Sequence, residues 1–158
     1  MARRHPVRRG IARAKEPVPE VARPSGMTDR DAALLALRPQ VDAAPEAAVS
    51  EVEAFLHRTL RPVLKLQNAP LLALVAADLR KRVPGFAAFA PDDARERLVS
   101  TLKADARLKR VLLGLVLGML TTDELAFALE NDAEVRRRVM LLVVERVRSQ
   151  AEAVQARV

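Results

Sequence analysis

The sequence predicts an all-α protein, a single compact helical bundle of five to seven helices with a disordered basic N-terminal tail. Hydrophobic residues make up 50% of the chain but aromatic residues only 3%, so leucine, valine and alanine must build the core. Such a core favours helices packed on helices. Apolar residues also recur at helical spacing between prolines, glycines and capping residues. We therefore assign residues 1–27 to the tail and residues 28–158 to the bundle.

The N-terminal segment has the composition of a disordered arm. Its first 26 residues hold four prolines and two glycines, and the apolar residues between them show no periodicity. Residues 1–24 carry seven basic and two acidic side chains, a net charge of +5, whereas the 20 basic and 18 acidic residues that follow leave +2. The arginines expected to contact an acidic partner are Arg3, Arg4, Arg8, Arg9 and Arg13.

Three kinds of partner suit this charge: the phosphates of a nucleic acid, an anionic membrane surface and an acidic protein. No aromatic residue lies among the arginines, so the tail has no aromatic side chain that could stack on bases. Other interpretations stay open. These are a solvated tail without a partner, a mitochondrial transit peptide, and a translation start at Met27.

The first two helices follow from prolines and capping residues. Thr28 begins a short helix that includes residues 32–37 and ends before Pro39. Pro45 suits the first position of the next helix, whose apolar residues recur at helical spacing. Pro62 kinks or restarts that helix, which continues to about residue 67. His57 within it has no partner in register and is interpreted as structural or exposed.

The next segment is predicted to contain two helices joined by an aromatic loop. A helix starts near residues 68–70 and ends in three basic residues, which complement the helix dipole. Phe86 and Phe89 follow in the loop GFAAFA and either fasten it to the core or form a docking patch for a partner. Pro91 then opens another helix with acidic residues in its first turn.

The most apolar stretch of the chain is VLLGLVLGML, residues 111–120. Its ten residues are about half of what a membrane span requires. We interpret it as a helix capped by Asp105 and covered on all sides by protein. Gly114 and Gly118 form a GxxxG pair, which indicates the close approach of another helix. That helix belongs to the same chain or, alternatively, to a second copy in a homodimer.

The C-terminal region is predicted to be a short helix followed by a long one. Thr121 with Glu124, and Asn131 with Glu134, fit capping boxes at the two helix starts. The long helix has one apolar stripe, formed by Val135, Val139, Leu142, Val143, Val147, Ala151 and Val154.

Residues 122–139 resemble the helix-turn-helix of bacterial regulators in degenerate form, with Arg136, Arg137 and Arg138 in the position of recognition-helix residues. Glu130 stands where the turn usually has glycine, the turn is about one residue short, and the second helix is unusually apolar. A helical hairpin is the alternative, with the arginines solvated or paired with Glu134 and Glu130.

Several kinds of chemistry lack the residues that they need. The chain has no cysteine, so disulfides, thiolate catalysis and cysteine-type zinc sites are excluded. No glycine lies between Gly26 and Gly85, which leaves no glycine-rich phosphate loop there. Most acidic residues fall at predicted helix starts. We therefore expect no enzyme activity, no catalytic residue, no cofactor and no metal.

These observations favour a non-enzymatic helical interaction or assembly subunit, an adaptor or structural protein. Its partner would be another protein or a second copy in a homo-oligomer, and its tail would contact an acidic partner or surface. The alternative is a nucleic-acid-binding protein or transcriptional regulator that uses the tail and residues 122–139. Without cysteines, a secretory signal or a transmembrane segment, we expect a cytoplasmic protein. Abundant arginine and alanine are typical of bacterial, GC-rich genes.

Overall fold

The computed structural model describes residues 27–41 and 50–158, which form eight α-helices and no strand. The predicted all-α class is confirmed. A 3₁₀ turn spans Phe86–Ala88. The helices are α1 (Asp29–Leu37), α2 (residues 51–66), α3 (Asn68–Arg82), α4 (Pro91–Ala104), α5 (Ala106–Leu117), α6 (Thr122–Glu130), α7 (Asp132–Ser149) and α8 (Ala151–Gln155). Within the described residues, no helix has the length and apolar character that a membrane crossing requires.

The helices pack around one apolar core. α7 lies against α4 and α5, whereas α3 contacts α5 and α8, and α4 also contacts α8. The largest side chains that are fully buried are Phe86, Leu60, Leu64, Leu71, Leu72, Leu79, Leu98, Leu102, Leu112, Leu120, Val63 and Val75. Leucine and valine therefore fill the core, as the composition predicts.

The predicted stripe of α7 is confirmed almost completely. Val135, Val139, Val143 and Val147 are all buried, and only Leu142 is half-buried. The buried stripe continues into α8 through Ala151 and Val154. The four valines recur every fourth residue and so share one face of the helix. Met140, Leu142 and Val144 widen the stripe as half-buried residues packed against the core, whereas Leu141 is exposed.

Helix α2 accommodates a proline in its interior. Ser50 caps its start, whereas the start predicted at Pro45 lies outside the described residues. Its middle, Leu56–Leu60, is a π-turn in which the N–H of Arg61 bonds the carbonyl of Leu56. Pro62 follows at once without an N–H and would crowd the carbonyl four residues earlier in a regular helix. The wider π-turn relieves that crowding, so Pro62 neither ends nor restarts the helix.

The prediction that the apolar stretch is covered on all sides is wrong. Helix α5 ends at Leu117, and Gly118 caps it. Val111 is 43% exposed, and Gly114 and Gly118 are exposed as well. The outward side of the apolar stretch thus consists of Val111 and two glycines, and the glycines add little apolar surface. A stretch without polar side chains can therefore border solvent at small cost.

Two predicted details of the C-terminal helices are also wrong. The long helix was expected to run through, but it breaks at Gln150, whose backbone has φ −117° and ψ 30°. The side-chain amides of Gln150 and Asn68 exchange hydrogen bonds of 3.0 and 2.9 Å, which hold that break in place. The helix count of eight reflects this division. Asn131 makes no capping box, because its amide donates back to the carbonyl of Phe127.

Candidate functional site

The most extensive polar cluster of the described residues joins α1 to the turn between α5 and α6. We call it the α1 junction; it consists of Arg30, Asp31, Arg38, Thr59, Thr121 and Glu124. Asp31 is only 4% exposed, and its carboxylate accepts a 3.1 Å hydrogen bond from the N–H of Thr122. Thr28 caps α1 as predicted. Helix α1 thus docks through a carboxylate at the start of α6.

Arg30 of α1 and Arg38, the residue after its end, donate hydrogen bonds to backbone carbonyls that follow the end of α5. Arg30 donates to the carbonyls of Leu120 and Gly118 at 3.0 and 2.9 Å. Arg38 donates to the carbonyl of Met119 at 3.0 Å. Carbonyls at a helix end lack intrahelical partners and attract cations. The junction therefore satisfies groups that the turn would otherwise leave to solvent.

Glu124 lies at the centre of the α1 junction. It forms the predicted capping box with Thr121, accepts from the hydroxyl of Thr59 at 3.1 Å, and pairs with Arg38. Burial raises the pKa of Glu124, but hydrogen bonds from Arg38 and Thr121 outweigh burial and lower the pKa below its ordinary value. The same balance holds for Asp31. Burial raises its pKa, but hydrogen bonds from Thr28 and Thr122 outweigh burial and lower the pKa below its ordinary value. Both groups are therefore charged at neutral pH.

Sequence reasoning missed the arginines of this junction. The capping pair Thr121 and Glu124 was visible because its members lie three residues apart. Arg30 lies in the first turn of α1 and Arg38 directly follows its last residue, but nothing in the sequence connects them to residues more than eighty positions away.

A second polar cluster joins α3 to the start of α5. Arg82 lies 3.1 Å from Asp78 and also pairs with Asp105, and both aspartate side chains are more than nine-tenths buried. Asp105 caps α5 as predicted and accepts from the N–H of Leu108. That hydrogen bond and the charge of Arg82 lower the pKa of Asp105, although burial opposes them. Arg82 was expected only to complement the dipole of α3, and it also links two helices.

The arginine triplet lies on the first half of α7 and is paired with acidic residues of the same helix. Arg137 donates to both oxygens of Glu134 at 2.8 and 2.7 Å, and Arg138 donates to one of them at 2.7 Å. Arg136 pairs with Asp132. Hydrogen bonds from Arg137 and Arg138 lower the pKa of Glu134 to about 2. The helical-hairpin interpretation expected these arginines to pair with Glu134 and Glu130. The pairing with Glu134 is found, and Asp132 takes the place of Glu130.

The helix pair that resembles a helix-turn-helix has a turn of a single residue. Asn131 alone separates α6 from α7. The side of α7 that carries Arg136 and Arg137 is exposed, and the opposite side is the valine stripe of the core. The first turn of α7 thus presents arginines whose charge the neighbouring carboxylates already balance.

The glycine pair on α5 has no close neighbour. No atom of the described residues lies within 4 Å of an ideal Cβ on Gly114, and a Cβ on Gly118 would meet only the carbonyl of Gly114, at 3.1 Å. The expected crossing by a helix of the same chain is therefore not found among the described residues. The alternative, contact with a second copy, stays a prediction.

Phe86 and Phe89 occupy different environments. Phe86 is fully buried, whereas Phe89 is half-buried, and their ring centroids are 5.5 Å apart. The side-chain amide of Gln155 donates to both of their carbonyls, at 3.3 and 3.0 Å. These bonds connect the loop to α8. Phe89 also borders a shallow groove of about 630 Å³ beside α4.

The groove between α4 and α7 and His57 add no cluster of reactive groups to the described part of the chain. A groove of about 770 Å³ between α4 and α7 is lined by side chains of both charges and by Val99, Leu141 and Val144. His57 lies half-buried in the π-turn of α2. Across residues 27–41 and 50–158, no group of three or more histidine, aspartate or glutamate side chains is placed to hold a metal ion. The predicted tail contacts Arg3, Arg4, Arg8, Arg9 and Arg13 lie outside the described residues.

Comparison with protein-family models, with curated proteins and with solved structures gives no match to this chain.

Proposed function

We propose that the protein is a non-enzymatic helical interaction or assembly subunit of the bacterial cytoplasm, and that it pairs with a second copy of itself. The outward side of α5 is the observation that supports this proposal. Val111 is 43% exposed there, and Gly114 and Gly118 leave a shallow groove that none of the described residues fills. Two glycines four residues apart allow the backbone of another helix to approach closely.

Charge favours a second copy as the occupant of this groove. Arg107 and Arg110 are exposed on the first half of α5, and the exposed Asp123 follows its end. If two α5 helices cross antiparallel at the glycines, the basic first half of each helix faces the end of the other, after which Asp123 follows. Such complementary charges favour one orientation of the pair.

The buried carboxylates support a structural role. Asp31, Asp78 and Asp105 each lie near an arginine, and two of them also accept hydrogen bonds from backbone N–H groups at helix starts. These partners hold charged groups in place within helix junctions. Their charge thus contributes to the packing of helices on one another.

The experiment is a measurement of molar mass in solution by size exclusion with light scattering over a range of concentrations. We expect a dimer that dissociates on dilution. Gly114→Leu should give a monomer with an unchanged circular-dichroism spectrum, because nothing described occupies the space beside Gly114. Ala126→Leu, at an exposed position of α6, is the matched control and should leave the dimer intact. A wild-type chain that stays monomeric at every concentration would contradict the proposal.

The basic tail is the second part of the proposal. Its net charge of +5 suits an acidic partner or surface, with Arg3, Arg4, Arg8, Arg9 and Arg13 as the contacts. The alternative function, a nucleic-acid-binding regulator, draws its support from the same charge. Arg136, Arg137 and Arg138 give this alternative little support, because each of them is already paired with a carboxylate of α7.

A further inference from the structure

Helix α1 lies outside the apolar core. No residue of Asp29–Leu37 is among the buried apolar side chains of the described residues, or among the half-buried ones that pack against them. Leu34 is half-buried, whereas Leu35 and Leu37 are 42% and 60% exposed. Burial of apolar side chains is what normally fastens a surface helix to its neighbours. The docking of α1 therefore depends on other contacts.

Those contacts are the hydrogen bonds and ion pairs of the α1 junction. Asp31 accepts from the N–H of Thr122, and Arg38 pairs with Glu124. Arg30 donates to two backbone carbonyls after the end of α5. When such contacts open, water takes the place of each partner, so their net contribution to stability is modest. A helix held in this way separates from the bundle at a smaller cost in free energy than a helix of the core.

The docked state also leaves one buried donor without an acceptor. Nε of Arg38 is shielded from solvent, and it has no hydrogen-bond partner among the described residues. A buried N–H without an acceptor destabilises the state that contains it, and water satisfies the group once the side chain is exposed. The release of α1 removes this cost.

A released α1 does not persist as a free helix. It has nine residues, and isolated helices shorter than about 12–15 residues are marginal in water. Its backbone amides therefore exchange with solvent each time it undocks. Helix α7, in contrast, is held by the buried side chains of Val139, Val143 and Val147. Local opening of α1 is thus separable from global unfolding by hydrogen exchange.

We propose that α1 is a latch, which releases from the α1 junction and unfolds while the other helices of the bundle stay packed. Release opens to solvent the acceptors that Arg30 and Arg38 cover, which are the carboxylate of Glu124 and the carbonyls of Gly118, Met119 and Leu120. The latch thereby controls access to the turn between α5 and α6. It does not depend on the pairing of α5 helices.

The experiment is hydrogen exchange of the full chain, followed by mass spectrometry at increasing urea concentrations below the unfolding transition. We expect residues 29–37 to exchange at least about a hundredfold faster than residues 139–147. Urea should change the rate of α1 little, because local opening exposes little surface, and should raise the rate of α7 steeply.

The matched variants remove one ion pair each. Arg38→Gln should raise the exchange rate of α1 about tenfold or more, because it removes a charged, two-pronged contact. Residues 139–147 should still exchange at least about a hundredfold more slowly than α1 in this variant. The control is Arg95→Gln, which removes the exposed pair with Asp92 and should leave the exchange of α1 as in the wild type.

Three results would overturn the inference. The first is an exchange rate and urea dependence of α1 in the wild type that equal those of α7, since α1 would then open only by global unfolding. The second is unchanged exchange of α1 in Arg38→Gln. The third is loss of protection in α7 together with α1 in that variant, because the bundle would then need α1 in order to stay folded.

Discussion

Arg38 and Glu124, which are separated by 86 positions in the sequence, form a two-pronged ion pair. The two terminal nitrogens of the guanidinium lie 2.5 and 2.6 Å from the two carboxylate oxygens. The side chain of Arg38 is 9% exposed and that of Glu124 is 19% exposed, so water screens the pair only weakly. Two parallel hydrogen bonds add directional strength to the charge attraction. This pair is the main charged contact between α1 and the rest of the described chain.

The first prediction concerns the strength of this ion pair. In a double-mutant cycle, we expect Arg38→Gln and Glu124→Gln to be coupled by about 1–3 kcal/mol in the free energy of unfolding. Glutamine at position 124 can still serve the capping box, so the cycle isolates the contact with Arg38. Urea denaturation measures it.

The exposed pair of Arg95 and Asp92 provides the control for that cycle. Its side chains are 41% and 94% exposed. The same cycle on this pair should give less than about 0.5 kcal/mol. If the coupling energy of Arg38 and Glu124 is no larger than that of Arg95 and Asp92, the ion pair does not stabilise the docking of α1.

The second prediction is a loss of stability in acid. The pKa values of Asp31, Glu124 and Glu134 are lowered in the folded protein, and that of Glu134 falls to about 2. A carboxylate with a lowered folded pKa stabilises the fold above its unfolded pKa, and this contribution is lost as the pH falls through the folded value. For Glu134 the window runs from the ordinary value of 4.5 down to about 2.

Melting temperatures measured from about pH 7 to about pH 2 test this prediction. We expect a decline that begins near the ordinary carboxylate pKa values. Glu124→Gln and Glu134→Gln should each make the decline shallower, because each removes one group whose proton uptake opposes folding. Identical acid profiles for both variants and the wild type would contradict the assignment.

The third prediction contrasts two glycines. Gly114 lies within a helix with nothing near its Cβ position, so Gly114→Ala should raise the free energy of unfolding of the monomer by about 0.5–1 kcal/mol. Gly85 has φ +76°, a conformation that costs other residues about 1–2 kcal/mol. Gly85→Ala should therefore destabilise the protein. Urea denaturation at high dilution measures both, and a loss of stability in Gly114→Ala would reveal a contact at that position.

The fourth prediction concerns the arginine triplet. We expect that replacing Arg136, Arg137 and Arg138 by alanine leaves any affinity for duplex DNA unchanged in a mobility-shift assay, since their charge is balanced by Asp132 and Glu134. Replacing the five tail arginines should weaken such binding and reduce its salt dependence. A large loss of affinity in the triplet variant would instead restore the helix-turn-helix interpretation.

Helix boundaries were the most predictable feature of this protein. Thr28, Asp105 and Thr121 cap helices in the structure as the sequence indicates, and Pro91 occupies the first turn of α4. The break at Gln150 was not predictable, because neither glycine nor proline marks it. It depends on the amide contact with Asn68, which lies 82 positions earlier.

The candidate surfaces were less predictable than the helices. The GxxxG pair of α5 was visible, but an intrachain crossing was the favoured explanation, and the described residues leave the pair open. Nothing local indicated that Asp31 would be buried while Leu37 remained 60% exposed.

The order of amino acids alone determined the fold class, most helix ends and the valine stripe of α7. Caps, prolines and apolar spacing act within a few residues, so they can be read before the chain is folded. Only the packed molecule decided which face of α1 and α5 meets solvent and which charges meet across the α1 junction. Those outcomes depend on contacts between segments far apart in the chain, and local preferences carry no record of such contacts.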